Sequence, residues 1–151
     1  MKNKLLIITF SILGILLLSS CNILNNFFPA YSAEGIRVAK DSFKIAISPI
    51  KIKKTSDLKI EVSFLKEWQA NYGLEIILLD EESFNNFIKD KPFTTDYHYS
   101  IFVSGNYQIN FDNVLKGTYY LIVDNSIKGW EKPDSNSQEN EAVLNIKIYI
   151  N

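Results

Sequence analysis

The chain has a single histidine, His98, and a single cysteine, Cys21, among its 151 residues. A serine-histidine-aspartate triad requires histidine as its general base, and zinc sites usually draw several ligands from histidine and cysteine. His98 lies in an alternating stretch, on the face opposite Tyr97 and Tyr99, where we expect it to be solvated. We therefore predict no catalytic centre, no metal site and no cofactor built on these two residues.

The acidic residues also have structural explanations. Glu81 and Glu82 fit the first turn of a helix, where they complement the helix dipole. Asp112 and Asp124 each precede an asparagine at a strand end, which is typical of Asx turns. Calcium binds oxygen-rich loops, but no stretch has the spacing of an EF-hand. Glycoside hydrolysis requires two acids across a cleft, and the spacing favours no particular pair.

Three aromatic residues are the candidate ligand-binding residues: Trp68 and Tyr72 in one predicted loop, and Trp130 in another. Aromatic rings in loops can stack on sugar faces or anchor a protein partner, because binding energy concentrates at such residues. The alternative is that these rings pack into the domain, which we expect more strongly for Trp130 than for Trp68.

Cys21 ends a segment with the features of a bacterial signal peptide. Two lysines precede an apolar run over residues 5–18, which is shorter than the roughly 20 residues that a membrane span needs. The tetrapeptide Leu18-Ser19-Ser20-Cys21 follows. It resembles the lipobox of bacterial lipoproteins, with small residues just before the predicted cleavage point.

This resemblance implies that residues 1–20 are a signal peptide and that Cys21 is the lipidated residue. In that family the matching thiol receives a diacylglyceryl group, and the new amino terminus is usually acylated. Two acyl chains hold a protein stably at a bilayer, where one is marginal. The expected location is the cell envelope, and Asn22 favours the outer membrane if the cell has two membranes. An uncleaved signal anchor is the alternative.

The composition limits the partners of the mature chain. Loss of residues 1–20 leaves 14 basic and 17 acidic residues, a net charge of about −3. A nucleic-acid binder requires a basic patch, so we predict no nucleic-acid partner. Residues 21–40 show no clean period and are predicted to be a tether, and residues 41–151 have the size of a single domain.

Alternation of apolar and polar residues dominates the domain and predicts half-buried strands. The stretch from Leu58 to Phe64 alternates most cleanly, whereas residues 74–79 are almost continuously apolar, as in a central strand covered on both faces. Residues 97–103 and 107–111 flank Ser104-Gly105-Asn106 and predict a hairpin.

A short helix is predicted near residues 81–89, capped by Asp80 and placed over the open end of a sheet. The stretch from Trp68 to Gly73 is predicted to be a loop. Seven or eight strands without long helices between them predict a mainly β fold, an antiparallel β-sandwich of jelly-roll type.

Two strands, Gly117–Asn125 and Leu74–Asp80, resemble those of bacterial pre-peptidase C-terminal and GOLD-like jelly-roll domains. The resemblance extends over about residues 42–150 and implies a sandwich without an enzymatic centre. Together with the lipobox it predicts a membrane-anchored extracytoplasmic lipoprotein, a non-catalytic binding or structural interaction module with a protein or polysaccharide partner. The alternatives are a carbohydrate-active hydrolase and an accessory subunit of a cell-envelope complex.

Overall fold

The computed structural model describes residues 28–130 and 141–151. These residues form eight strands and one helix, α1, which spans Glu81–Ile88 between the fourth and fifth strands. The strands are β1 (Tyr31–Val38), β2 (Ser42–Ile52), β3 (Ser56–Phe64), β4 (Gln69–Asp80), β5 (His98–Val103), β6 (Asn106–Val114), β7 (Gly117–Asn125) and β8 (Ala142–Ile150).

The strands form two four-stranded sheets. Sheet I has the order β1-β8-β3-β6 and sheet II the order β2-β7-β4-β5. Every pair of neighbouring strands is antiparallel. Except between β4 and β5, each strand is followed in the chain by a strand of the other sheet, which gives the arrangement of an eight-stranded jelly roll. The predicted fold class, an antiparallel jelly-roll sandwich with one short helix, is confirmed.

The main core lies between the sheets, and β3 shows how the sequence builds it. Leu58, Ile60 and Val62 are at most 1% exposed and belong to this core, whereas Lys59 and Glu61 between them are only partly buried. Successive side chains of a strand point to opposite faces, so alternation buries one face of β3 and hydrates the other.

Strand β4 differs because both of its faces are buried. Ile76 and Leu78 point into the main core, while Ile77 and Leu79 point outward into a second apolar cluster that includes Phe87 of α1. The prediction of a central strand covered on both faces is confirmed.

Helix α1 begins where Asp80 ends β4. Asp80 Oδ1 accepts a hydrogen bond of 2.7 Å from the backbone N–H of Ser83, which confirms the predicted cap. Phe87 is 1% exposed in the second cluster, and the ring of Phe84 stacks on Tyr120 at 4.0 Å between centroids. The helix therefore lies on the outer face of sheet II and not over an open end, because β4 and β7 provide a second apolar surface there.

The prediction that residues 21–40 are a tether is wrong for the part that forms β1. Residues 31–38 fall within the range 21–40, yet they pair with β8 in sheet I. The pairing shifts register between Ala33 and Ile36, around Gly35 with φ of +62°. This bulge interrupts the period of two and hides the strand in the sequence. The ordered domain therefore starts before residue 41.

The predicted hairpin of residues 97–103 and 107–111 is also wrong. Strand β5 pairs with β4 in sheet II, whereas β6 pairs with β3 in sheet I. The turn at Ser104 and Gly105 carries the chain from one sheet to the other. Strand β5 thereby pairs with a strand of 12 residues and β6 with a strand of 9, each longer than the partner that a hairpin would provide. The two strands are adjacent in sequence but do not pair with each other.

Candidate functional site

Cys21 lies outside the described residues, so the structure does not bear on its lipidation. Over residues 28–130 and 141–151, no helix combines the length and the apolar character that a bilayer crossing requires. The same residues include no group of three or more histidine, cysteine, aspartate or glutamate side chains that could hold a metal ion.

Trp68, one of the candidate ligand-binding residues, belongs to the main core. Its side chain is 3% exposed and stacks on Phe64, with 5.7 Å between the ring centroids. The indole Nε1 is buried, and no described atom accepts a hydrogen bond from it. A ligand cannot reach this ring without opening the sandwich, so the expectation that Trp68 contacts a ligand is corrected.

Tyr72 does not lie in a loop, because β4 already begins at Gln69. The pairing of β4 with β5 shifts register between Gln69 and Leu74, which breaks the alternation that would have revealed the strand. The side chain of Tyr72 is outside the described part of the structure. Trp68 and Tyr72 therefore do not form the predicted loop pair.

Trp130 is a candidate whose side chain is partly exposed at the surface. It follows the turn after β7 and is 45% exposed. Its ring stacks on the imidazole of His98, with centroids 4.6 Å apart and an interplanar angle of 23°, and it meets Phe93 edge-on at 5.3 Å. The sequence favours packing more strongly for Trp130 than for Trp68, but in the structure Trp68 is the buried residue and Trp130 the half-exposed one.

A cleft of about 410 Å³ opens beside Trp130. One wall comes from the end of α1 and the segment after it, and the other comes from residues 127–130 that follow β7. The lining residues are Phe87, Asp90, Lys91, Pro92, Phe93, Ile127, Lys128, Gly129 and Trp130. The cleft thus combines aromatic rings with charged groups, which is the usual composition of a small-ligand site.

An ion pair joins the two walls of this cleft. Lys128 Nζ lies 2.8 Å from Asp90 Oδ1, and the Lys128 side chain is only 24% exposed. Its ammonium also lies 5.1 Å from the centroid of Phe43 and 5.6 Å from that of Phe87. Cation–π contact and the ion pair together hold the turn against the helical segment.

Two carboxylates lie beneath this turn. Glu75 on β4 and Asp124 on β7 are directly paired across the strands, and each is only 1% exposed. They have the same parity as Ile77 and Ile122, so they share the outer face of sheet II. The sequence alone does not reveal this pair, because the two residues are distant in the chain and become neighbours only through the register of β4 and β7.

Gly129 closes over the two carboxylates. A Cβ atom at this position would overlap Glu75 Oε2 and would lie 2.8 Å from Asp124 Oδ2. Only glycine lets the backbone approach the acids this closely. Asp124 Oδ1 accepts hydrogen bonds from the backbone N–H of Ser126 at 3.1 Å and from its hydroxyl at 2.6 Å.

Burial raises the pKa of Asp124 above its ordinary value. Desolvation is the largest cause, because it penalises the charged form. The hydrogen bonds from Ser126 and Gly129 and the charge of Lys128 act in the opposite direction and only partly offset it. Two carboxyl groups are therefore buried side by side in sheet II, directly beneath the turn that carries Trp130.

No protein-family model matches this sequence, and none of the curated proteins compared with it is a match.

Proposed function

We propose that this chain is a lipid-anchored extracytoplasmic lipoprotein and acts as a non-catalytic binding module through the cleft beside Trp130. The observation that carries the proposal is the half-exposed indole, which His98 and Phe93 hold in place next to a concave surface. The lipobox ending at Cys21 supplies the anchor in this proposal.

The arrangement of Trp130 supports binding for an energetic reason. A ring that is already fixed by two neighbours loses little conformational freedom when a ligand stacks on it. Its exposed part offers apolar area, and Asp90, Lys91 and Lys128 provide hydrogen-bonding groups around the same cleft. A glycan fits these features, since sugars present apolar ring faces surrounded by hydroxyl groups.

The position of the cleft suits a protein tethered at its amino end. Near the start of β1, the Tyr31 hydroxyl accepts a hydrogen bond of 3.0 Å from the Lys51 N–H, and Lys51 pairs with Thr118 at the beginning of β7. The turn with Trp130 follows the other end of β7. Nine residues of strand separate these ends by about 25 Å, so the cleft lies far from the start of β1.

The anchor is tested by Cys21→Ala in the native cell. We expect the wild-type protein to fractionate with membranes and to carry an acyl mass on an amino-terminal cysteine, and the variant to retain its first 20 residues and lack the lipid. Mass spectrometry of both proteins measures this. A wild-type protein with residues 1–20 intact and no acyl mass would refute the lipoprotein assignment.

The cleft is tested with soluble cello-, chito- and maltohexaose as probes, followed by calorimetry. We expect one of them to bind the wild-type protein and Trp130→Ala to lose at least about tenfold in affinity, as for a central aromatic contact. Phe102→Ala is the matched control, because Phe102 is 46% exposed but does not line the cleft. Equal losses in both variants, or binding unaffected by the Trp130 change, would contradict a glycan site in this cleft.

A further inference from the structure

Helix α1 ends in a motif that usually contains glycine at the position that Asp90 occupies. The backbone N–H of Lys91 donates a hydrogen bond of 2.9 Å to the carbonyl oxygen of Asn86. The N–H of Asp90 donates one of 3.3 Å to the carbonyl oxygen of Phe87. These two bonds define a Schellman motif, whose central residue has a left-handed backbone and is most often glycine. Asp90 adopts this backbone with φ of +55°.

The charge of Asp90 is also unfavourable at this end of the helix. The last carbonyl groups of a helix give its C-terminus a partial negative charge, which repels a carboxylate. Lys89, the C-cap, has the charge that this end favours, and Asp90 opposes it. Asp41 has a similar φ of +57°, but it lies in the turn between β1 and β2 with no helix end beside it. Residues that break local preferences in this way are expected at functional sites.

The interaction that accounts for Asp90 is its ion pair with Lys128 across the cleft. The two charged atoms are 2.8 Å apart, and the Lys128 side chain is 24% exposed, with the rings of Phe43 and Phe87 beside its ammonium. A cation that is largely removed from water attracts an anion more strongly than an exposed one. The charge of Lys128 also acts on Asp124, but Asp90 is the carboxylate that lines the cleft.

We propose that Asp90 sets the ligand specificity of the cleft: its carboxylate occupies the ammonium of Lys128, so that the cleft favours neutral over acidic glycans. This specificity rests on the function proposed above. An acidic sugar that reached Lys128 would displace Asp90 and leave that carboxylate unpaired beside the helix end, whereas a neutral sugar leaves the ion pair intact. Lys91 also lines the cleft, but it is exposed, so water and salt screen its charge.

The specificity is tested with pairs of hexasaccharides that differ only in charge. Cello-, chito- and maltohexaose are each compared with their C6-oxidised form, which has carboxylates in place of hydroxymethyl groups. Calorimetry on the full mature protein, in a detergent without a sugar headgroup, gives the ratio of acidic to neutral affinity. In Asp90→Gly this ratio should rise at least about tenfold, as for a hydrogen bond to a charged group. Asp90→Asn removes the charge at nearly constant size and should raise the ratio as well.

Two further variants assign the effect to the ion pair. Asp41→Gly is the matched control, because it makes the same change at nearly the same φ in a residue that does not line the cleft, and it should leave the ratio unchanged. Combining Asp90→Gly with Lys128→Met should abolish the increase. An unchanged ratio in Asp90→Gly and Asp90→Asn, or an increase that persists without Lys128, would overturn the proposal.

The occupation of Lys128 by Asp90 is tested without a glycan, with inorganic phosphate as the probe. The neighbouring rings of Phe43 and Phe87 shift the Hε protons of Lys128 away from those of exposed lysines, so NMR can follow this side chain. Phosphate should move the Lys128 signal at about tenfold lower concentration in Asp90→Gly than in the wild-type protein. Equal responses of the two proteins would overturn the proposal.

The outcomes separate this inference from the function on which it rests. Binding of a neutral hexasaccharide through Trp130 with an unchanged ratio in the Asp90 variants would support the glycan site and refute its control by Asp90. If no hexasaccharide binds, the glycan function fails, while the phosphate titration still decides whether Asp90 competes with anions for Lys128.

Discussion

Both sheets carry carboxylates on their outer faces, but these are partly exposed on sheet I and buried on sheet II. On sheet I, Lys59 and Glu61 are partly exposed and form an ion pair of 2.9 Å, and the Tyr149 hydroxyl donates to Glu61 at 3.0 Å. On sheet II, Glu75 and Asp124 are buried beneath a turn. The burial of a carboxylate at an outward position of a strand therefore depends on which elements cover that strand.

The two environments shift the pKa of a carboxyl group in opposite directions. On sheet I the hydrogen bond from Lys59 is the main cause that lowers the pKa of Glu61 below its ordinary value. On sheet II desolvation raises the pKa of Asp124. The elements that cover sheet II, α1 and residues 126–130, therefore create both its outer apolar cluster and the burial of its acid pair.

The strongest test of this difference removes apolar volume from the covered face. Ile77 is fully buried under α1, so Ile77→Ala should lower the free energy of unfolding by about 2–5 kcal/mol through lost burial and a cavity. Ile45→Ala is the matched control, since Ile45 is on the same face but 46% exposed. Urea denaturation measures both, and similar losses would mean that the helix does not seal this face.

The next largest effect is expected where the turn meets the acids. In Gly129→Ala the new methyl group overlaps Glu75 Oε2, and overpacking of this kind costs about 1–3 kcal/mol. At Gly105 a Cβ atom would meet only Tyr107 at 3.4 Å, an ordinary contact, so Gly105→Ala serves as the control. Thermal unfolding of the two variants compares them, and equal stability would show that the turn does not press on the acid pair.

Asp124→Asn should change how stability depends on pH. The pKa of Asp124 is raised in the folded state, so its favourable contribution is complete below the ordinary pKa of 3.8 and is lost as the pH rises through the raised value. The variant lacks this loss, and its stability relative to the wild-type protein should grow with pH. Urea denaturation over a pH series measures the difference, and a flat difference would refute the assignment.

Glu61→Gln should give the smallest effect and the opposite sign. The pKa of Glu61 is lowered from 4.5, so its contribution is present above that value and is lost as the pH falls through the lowered one. Because the pair is partly exposed, we expect a loss of only about 0.5 kcal/mol at neutral pH. Glu67→Gln, at an exposed position, is the control in the same denaturation series. A larger effect at acid than at neutral pH would contradict this sign.

The sequence predicted correctly those elements whose own pattern of apolar and polar residues shows which of their faces are buried. The alternation from Leu58 to Phe64 and the apolar run before Asp80 both identified strands with the correct number of buried faces. Asp80 was recognised as a cap because its hydrogen bond to Ser83 is local. Strand β1 was not predicted, because its bulge at Gly35 breaks the alternation of apolar and polar residues on which strand predictions depend.

The candidate site was predicted less well, because exposure is not a local property. Trp68 and Trp130 both stand near loops in the sequence, but one is buried against Phe64 and the other rests on His98 at the surface. Only the packing of distant segments decides which indole is buried and which is exposed.

From its residues alone this chain specifies a mainly β domain with one capped helix, since hydrophobic periods and caps act over a few neighbouring positions. The tertiary structure decided that β5 and β6 belong to different sheets, that Glu75 meets Asp124, and that Trp130 faces the cleft. Each of these depends on strand register and on contacts between segments far apart in the chain, which no short stretch of sequence encodes.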